Sequence, residues 1–387
     1  MNASLRFRPI VLGERCDELR AEVRDFLAEQ RSEGTVPAVP IHVGMEYSQE
    51  FSRRLGQRGW IGWRWPREYG GHEGTALERY VLTEELLAAG APVRAHWVAD
   101  RQSGPVLLAF GTEAQRRAYL PRIAAGECYF CIGLSEPDSG SDLASLRTRA
   151  ERVEGGGFRI NGTKLWTSNA HRVHYMLALF RTAPASAEQR RGGLSQFIVD
   201  LSLPGITVRP VRNLAGEHDF NEVHFEDVML PEDCLVGTLH EGWRQVSAEL
   251  AYERSGPERW LSTYHLLARL AETLGPDATS EVQAEIGELM VDLVTLRQMS
   301  LSVAGMLEAG EEPNVQAALV KEIGTRFEQR IPRIAHRLCA GRADHESRDS
   351  TLRQLLEHAL MWSPAFTIRG GTTEILRGII ARGLGLR

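Results

Sequence analysis

The residues best suited to chemistry concentrate between positions 133 and 169. Residues 133–142 read Gly-Leu-Ser-Glu-Pro-Asp-Ser-Gly-Ser-Asp, and residues 161–169 read Asn-Gly-Thr-Lys-Leu-Trp-Thr-Ser-Asn. Small residues and short hydroxyls let an anionic or carbonyl-rich ligand approach the backbone amides closely. Trp166 beside Thr167 and Ser168 offers a flat apolar wall with hydrogen-bonding groups at its edge. The combination suits an isoalloxazine ring, and the alternative is a pair of β-turns in an ordinary sheet.

Length and charge narrow the classes of protein to consider. The 387 residues allow two or three domains with an ample core. A net charge of -6 argues against a nucleic-acid binder. No apolar run approaches the roughly 18 residues of a membrane span, and acidic residues near the N-terminus do not fit a secretory signal. We therefore expect a cytoplasmic protein without a membrane span.

The cysteines and lysines are few. Five cysteines are scattered, and Cys128 and Cys131 have the spacing of metal ligands but lack a second pair. We expect free thiols and no metal site. Lys164 and Lys321 are the only lysines among 45 basic residues, a bias that we attribute to genome composition.

Three regions of different character must position these residues. The first 125 residues have helical apolar spacing, with helices expected at 17–30, 49–58, 76–88 and 112–125, the last capped by Thr112. Short alternating segments follow to about residue 237, and long amphipathic helices follow from 241. The sequence therefore predicts an α+β protein with a helical domain (1–125), a small β-barrel or sandwich domain (126–237) and a domain of the four-helix-bundle type (238–387).

Glycine-rich turns separate the predicted strands. Residues 154–157 lie between apolar segments at 148–153 and 158–160, which predicts a hairpin, and Asn161-Gly162 is a second turn signal. Further strands are expected at 174–180, 195–201, 206–211 and 222–227. Helices are expected at 243–254, 258–273, 280–309, 315–340, 352–361 and 373–383.

Order and motifs together resemble the acyl-CoA dehydrogenase family over nearly the whole chain. The segment from 133 to 169 is the most specific match. Its C-terminal counterpart is Gly-Gly-Thr-Thr-Glu-Ile-Leu-Arg at 370–377, followed by Ile-Ala-Arg at 380–382. Further matches lie at 55–60, 65–71, 111–115, 120–121, 126–127, 220–223, 225–228 and 231.

The resemblance implies an FAD flavoprotein that desaturates acyl-CoA thioesters to trans-2-enoyl-CoA. In the family a carboxylate removes the α-proton and flavin N5 takes a hydride from the β-carbon. Directed hydrogen bonds then stabilise the enolate-like charge on the carbonyl oxygen. The usual electron acceptor is an electron-transferring flavoprotein, and side-chain or fatty-acid β-oxidation is the usual setting.

The resemblance also assigns site residues, each of which could instead be structural. Cofactor contacts carry over to Ile132, Leu134, Ser135, Trp166, Thr167, Ser168, Thr372, Thr373 and Glu374. Substrate contacts carry over to Ser141, Arg254, Gly370, Gly371 and Arg382.

The catalytic base is expected at an unusual position. Many family members carry the base just before the Gly-Thr of the C-terminal motif, where this chain has Gly370. A smaller group carries it on the first long helix after the β domain, directly before an arginine, which here gives Glu253 before Arg254. The alternative is that Glu253 is a solvated helix residue.

Two family motifs are missing, and their absence allows other hypotheses about the function of the chain. Family homotetramers usually show Arg-x-x-Phe-Gly and Gln-x-x-Gly-Gly, which reach the FAD of a neighbouring subunit. The corresponding stretches, 270–278 and 338–346, contain neither. A dimer or tetramer is expected, and a sister chain could complete the flavin site. The other hypotheses are a non-catalytic, half-site subunit of such a heteromer and a flavin monooxygenase or oxidase on the same fold.

Overall fold

The computed structural model describes residues 5–41, 43, 46–184, 189–246, 255–340 and 349–386. It divides into two compact units. The first comprises Met1–Phe51, Gly74–Arg94 and Glu253–Arg387, and the second comprises Ser52–Glu73 and Ala95–Tyr252. Helices come first along the chain, a sheet follows and helices return, as the sequence predicts. The expected three-domain boundaries stay a prediction.

Eleven helices are numbered here in chain order. They are α1 (Glu14–Ser32), α2 (Gln49–Gln57), α3 (Ala76–Ala88), α4 (Arg94–Val98), α5 (Gly104–Phe110), α6 (Glu113–Ala124), α7 (Tyr264–Leu274), α8 (Ser280–Glu308), α9 (Asn314–Ala340), α10 (Ser350–Trp362) and α11 (Thr373–Gly383). Residues 242–246 are also helical. The rest of the helix expected at 243–254 lies outside the described residues. None of the described helices is both long and apolar enough to cross a membrane.

Side-chain caps define where several helices begin. The predicted cap of α6 is confirmed, because the Thr112 hydroxyl accepts a hydrogen bond from Gln115 N while the Gln115 side chain accepts one from Thr112 N. Thr75 and Glu78 form the same reciprocal pair at α3. Such pairs satisfy N–H groups that would otherwise have no partner in the first turn.

One predicted helix begins later than expected. The apolar spacing suggested a helix from residue 258, but Pro257–Arg259 forms a short 3-10 turn and α7 begins only at Tyr264. The buried Glu328 carboxylate accepts the backbone N–H of Ser262 at 2.7 Å. That tertiary hydrogen bond replaces the intrahelical one, so periodicity alone misjudges this boundary.

An eight-stranded sheet forms the middle of the second unit. Its strands are β1 (Phe130–Gly133), β2 (Arg149–Arg152), β3 (Phe158–Ser168), β4 (Tyr175–Arg181), β5 (Leu194–Asp200), β6 (Ile206–Val211), β7 (Phe220–Leu230) and β8 (Leu235–Val236). The order is β6-β7-β3-β2-β4-β5-β8, and β1 pairs in parallel with β4. The aromatic rings of Phe158, Phe180, Phe197 and Phe225 pack in its core.

The sheet confirms one predicted turn and corrects another. The hairpin at 154–157 is confirmed, since Arg152 pairs with Phe158 across it. The turn expected at Asn161-Gly162 is wrong, because β3 runs through both residues with only a register shift there. Gly162 has φ +140°, and a Cβ on it would lie 2.7 Å from the Thr148 hydroxyl. Glycine is therefore needed for close packing between strands rather than for a turn.

Candidate functional site

A bulge in β3 turns Trp166 away from the sheet. The pairing of β3 with β7 shifts between Lys164 and Thr167, which leaves an extra residue on β3. Trp166 has the left-handed φ of +62°, and its side chain is 54% exposed. Its ring packs edge-on against Phe220, with ring centroids 5.8 Å apart. The bulge therefore presents a large apolar ring toward solvent, where a ligand could cover it.

The next residues supply polar groups beside that ring. Thr167 is buried, and its carbonyl accepts a hydrogen bond from Asn221 Nδ2 at 2.9 Å. Its hydroxyl is also buried but has no hydrogen-bond partner among the described residues. This hydroxyl faces the interior, whereas the Trp166 ring faces solvent. Ser168 is half-buried and pairs with Phe220 in the sheet.

The loop after β1 is tied to β3 beside this ring. Ile132 pairs with Leu177 inside the sheet, and Leu134 and Ser135 follow half-buried. Leu165 N donates a hydrogen bond to Ser135 O at 2.8 Å, and Lys164 Nζ donates one to Leu134 O at 3.1 Å. The sequence-predicted cofactor residues of the second unit thus lie on two adjoining segments.

A buried ion pair between β3 and the same loop holds the loop in place. Lys164 is fully buried and donates a hydrogen bond to Glu136 Oε1 at 2.8 Å. The Glu136 carboxylate also accepts the backbone N–H groups of Arg147 and Thr148. Burial lowers the pKa of Lys164 to about 8, against the pull of Glu136. Burial raises the pKa of Glu136, but the Lys164 charge and these hydrogen bonds together hold it below its ordinary value.

Ser141, the predicted substrate contact of this unit, lies exposed further along the loop. The loop closes on itself upstream, where Glu136 and Ser139 pair through their backbones. A shallow cavity of about 170 Å³ opens beside it, lined among others by Asp138, Ser139 and Arg147. This rim of charged and hydroxyl groups suits a polar part of a ligand.

The first unit contains the C-terminal motif as a turn leading into α11. Gly370 and Gly371 have φ of +64° and +103°, which glycine tolerates best. The Thr372 hydroxyl caps α11 by accepting a hydrogen bond from Ile375 N at 3.4 Å. Thr373 is half-buried in the first turn of the helix. The exposed Glu374 has a pKa lowered by its own backbone N–H and by Thr372.

Cationic side chains surround this turn. Arg259 is 4% exposed, and a Cβ built on Gly370 would lie 3.1 Å from its Nη2. Arg369 donates hydrogen bonds to Glu328 Oε2 at 2.6 Å and to Ser262 Oγ at 2.9 Å. The space beside Gly370 is therefore lined by a guanidinium, whose charge is partly balanced by the Glu258 carboxylate 4.0 Å from its Nε. Arg382 is exposed in the last turn of α11.

Glu253 and Arg254, the predicted base and its neighbour, lie outside the described residues, as do residues 341–346 of the second missing motif. The sequence analysis did not identify Glu136, Lys164 and Arg259 as site residues. The scarcity of lysine was the one available signal for Lys164.

Comparison with protein families matches three consecutive domains. Residues 13–127 match the acyl-CoA dehydrogenase N-terminal domain, residues 131–228 the middle domain and residues 240–385 the C-terminal domain.

Individual relatives are similar along nearly their whole length. The chain is 33% identical over 376 residues to acyl-CoA dehydrogenase FadE29 of Mycobacterium tuberculosis, across 94% of this chain and 95% of that protein. Acyl-CoA dehydrogenase IpdE1 of the same organism is 33% identical over 381 residues, across 96% and 97% of the two chains.

Solved structures align equally well. A chain of the ChsE4-ChsE5 complex from Mycobacterium tuberculosis aligns with a TM-score of 0.83 at 30% identity, across 98% of this chain and 100% of that one. A chain of the Tcur3481-Tcur3483 steroid ACAD aligns with a TM-score of 0.83 at 28% identity, across 97% and 99%.

Proposed function

The chain belongs to the acyl-CoA dehydrogenase family, an oxidoreductase family that uses FAD and acts on CH–CH bonds, and we propose that it desaturates an acyl-CoA thioester to the trans-2-enoyl-CoA. The observation that carries the proposal is the exposed Trp166 ring on the β3 bulge.

The residues around Trp166 fit a flavin. An isoalloxazine ring needs an apolar surface for its face and donors or acceptors for its polar edge. The Trp166 ring offers the surface, and the half-buried Ser168 offers a hydroxyl for the edge. The other proposed ring contacts are Ile132, Leu134, Ser135 and Thr167. Thr372, Thr373 and Glu374 are the proposed contacts to the rest of FAD. When bound, FAD supplies the acceptor for the hydride that leaves the β-carbon.

Protein groups perform the proton chemistry in this proposal. The Glu253 carboxylate takes the α-proton, and Arg254 holds that carboxylate in place. The backbone N–H of Gly370 or Gly371 donates to the thioester oxygen, which gains negative charge as the α-proton leaves. Ser141 and Arg382 contact the CoA part. The guanidinium of Arg259 beside Gly370 supports an anionic group at this place, because opposite charges attract strongly away from water.

Replacement of the base tests this assignment. Glu253→Gln removes the proton acceptor but keeps side-chain size, so we expect normal FAD content and a loss of at least about 1,000-fold in flavin reduction. The measurement is anaerobic bleaching of bound flavin by acyl-CoA. Glu249→Gln, the same exchange four residues earlier, is the matched control and should bleach normally. Unchanged reduction in Glu253→Gln would remove Glu253 from the mechanism.

A steroid-derived acyl group is the substrate class we propose. The similar Tcur3481-Tcur3483 protein is a steroid ACAD, and the glycines at 370 and 371 carry no side chain that could crowd a bulky acyl chain. A panel of straight, branched, aromatic and steroid-derived acyl-CoAs tests the class. Bleaching that is fastest with a straight chain would contradict it.

We also propose that a sister chain completes the flavin site. The chain lacks both motifs that family homotetramers use across the subunit interface. A similar solved structure is a complex of two named components, ChsE4 and ChsE5. To test this, the chain is expressed alone and together with a neighbouring gene of the same family. The FAD content per chain is then compared between the two preparations. A yellow, active protein made alone would refute the heteromer. An electron-transferring flavoprotein is the proposed acceptor in either case, and the cytoplasm the proposed compartment.

A further inference from the structure

Lys321 holds the turn before α11 from inside the first unit. The side chain lies on α9 and is 1% exposed. Its ammonium donates hydrogen bonds to three backbone carbonyls, those of Phe366 and Thr367 at 3.2 Å and that of Gly371 at 3.0 Å. These acceptors lie on both sides of residues 368–370, so one side chain fixes both ends of that segment.

The segment needs such an external support. Gly370 and Gly371 have no side chains, and each backbone is free to take many conformations before it is ordered. The hydrogen bonds of Arg369 to Glu328 and Ser262 anchor the middle of the segment. Lys321 anchors its ends. Together they leave the glycine backbone one arrangement rather than several.

The residue type matches this task. An ammonium is a compact charge with three donors in a tetrahedral arrangement, whereas a guanidinium is a planar fork suited to carboxylates. The chain uses arginine at all other basic positions except Lys164. At position 321 three carbonyls converge on one nitrogen, a geometry that an arginine cannot match.

Burying the charge of Lys321 costs free energy of folding, which argues that the charge has a function. Burial lowers its pKa to about 8, with further lowering by Arg259 on the 3-10 turn and by Arg369. Glu322 and Glu328 on α9 act in the opposite direction. Its hydrogen bonds to the described part of the chain reach neutral carbonyls, not a carboxylate. A buried cation in this setting favours negative charge that develops nearby.

We propose that Lys321 is a positioning residue that fixes the Gly370–Gly371 turn for the thioester oxygen and stabilises the negative charge formed on that oxygen. The inference rests on the proposed function, which places the thioester oxygen at this turn. It predicts an effect on the ionisation of the bound thioester rather than on substrate affinity.

The test compares Lys321→Met with the wild-type, full-length, FAD-loaded protein, together with any chain that copurifies. Methionine keeps the length and removes the charge and donors. We expect unchanged FAD content, a KM within about threefold and a kcat lower by roughly 10- to 100-fold. A 3-oxoacyl-CoA provides a readout without turnover, because its enolate absorbs light. The ionised fraction of the bound ligand should fall about tenfold. Arg333→Met, which removes an exposed cation on the same helix, should change neither quantity.

The pH dependence of wild-type kcat gives a second measurement, which does not depend on whether a variant folds. Wild-type kcat should decline as pH rises through about 8, where Lys321 loses its proton, and Lys321→Met should lack this decline. A wild-type profile flat through pH 8, or an unchanged 3-oxoacyl-CoA ionisation in Lys321→Met, would overturn the inference. If instead no acyl-CoA of the panel bleaches the wild-type flavin, the proposed function itself fails.

Discussion

At the scale of single residues, the buried pair of Lys164 and Glu136 links the cofactor loop to the sheet. Lys164 Nζ donates hydrogen bonds to the Glu136 carboxylate and the Leu134 carbonyl, and Glu136 accepts the backbone N–H groups of Arg147 and Thr148, the two residues before β2. Each charge is satisfied by the other. Removal of one partner therefore leaves an uncompensated charge in the protein interior.

Lys164→Met should lower the free energy of unfolding by about 3 kcal/mol, because Glu136 loses its counter-ion. Urea unfolding of the apoprotein measures the change. The double variant Lys164→Met/Glu136→Gln should cost less than the sum of the single variants. Arg152→Met is the matched control, since it breaks the exposed pair with Glu232 and should cost less than about 1 kcal/mol. Additive effects of the two buried substitutions would contradict the coupling.

Sequence reasoning found the loop but not what holds it. The small residues of 133–142 and the Trp-Thr-Ser segment are visible as local patterns, because a ligand contact needs particular residue types. The Lys164–Glu136 pair joins residues 28 positions apart, and nothing local in the sequence indicates that they meet. The rarity of lysine pointed to both Lys164 and Lys321, but composition explained it equally well before the contacts were known.

At the scale of elements, backbone irregularities determine which side chains are presented. β3 would bury alternate residues if it were regular, yet the bulge at Trp166 puts the ring on the exposed side. The left-handed backbone of a tryptophan carries a conformational cost of about 1–2 kcal/mol. Periodicity predicted helices such as Ala76–Ala88 and Thr373–Gly383 at their observed bounds. Periodicity failed at residue 258, and the Asn-Gly turn signal failed at residues 161–162. At both places contacts distant in sequence override the local pattern.

The start of α11 provides a test at this scale. Gly370→Ala introduces a side chain at φ +64°, 3.1 Å from Arg259, and should lower the unfolding free energy by about 1–2 kcal/mol. Gly378→Ala lies within the helix, where alanine is favoured, and should raise it by up to about 1 kcal/mol. Thermal or urea unfolding measures both. Equal effects of the two substitutions would show that the turn before α11 is not conformationally demanding.

At the scale of the whole molecule, each unit contains a histidine whose surroundings keep its ring neutral. His96 in the second unit is 3% exposed and contacts Ser52 Oγ through Nδ1 at 2.8 Å. Burial lowers the pKa of His96 to about 4, only partly opposed by Asp100. In the first unit, burial first and Arg31 second lower the pKa of His265 to about 4. Binding a proton would place a positive charge on each ring in surroundings that disfavour it.

These two histidines predict acid destabilisation of both units. Their ordinary pKa is 6.5. As pH falls below that value, the two histidines bind protons in the unfolded chain but not in the folded chain. The stabilising contribution is complete above pH 6.5 and is lost as pH falls toward 4, on the order of 3 kcal/mol for the fully buried His96. Amide hydrogen exchange measured between pH 7 and 4, corrected for intrinsic rates, follows each unit separately. His96→Gln cannot gain the charge, so it should reduce the pH dependence in the second unit and leave that of the first unchanged. It should not abolish the dependence, because burial also lowers the pKa of His171 in the second unit to about 4. If the hydrogen-exchange protection of the second unit falls equally in wild type and in His96→Gln, the acid sensitivity arises from other groups.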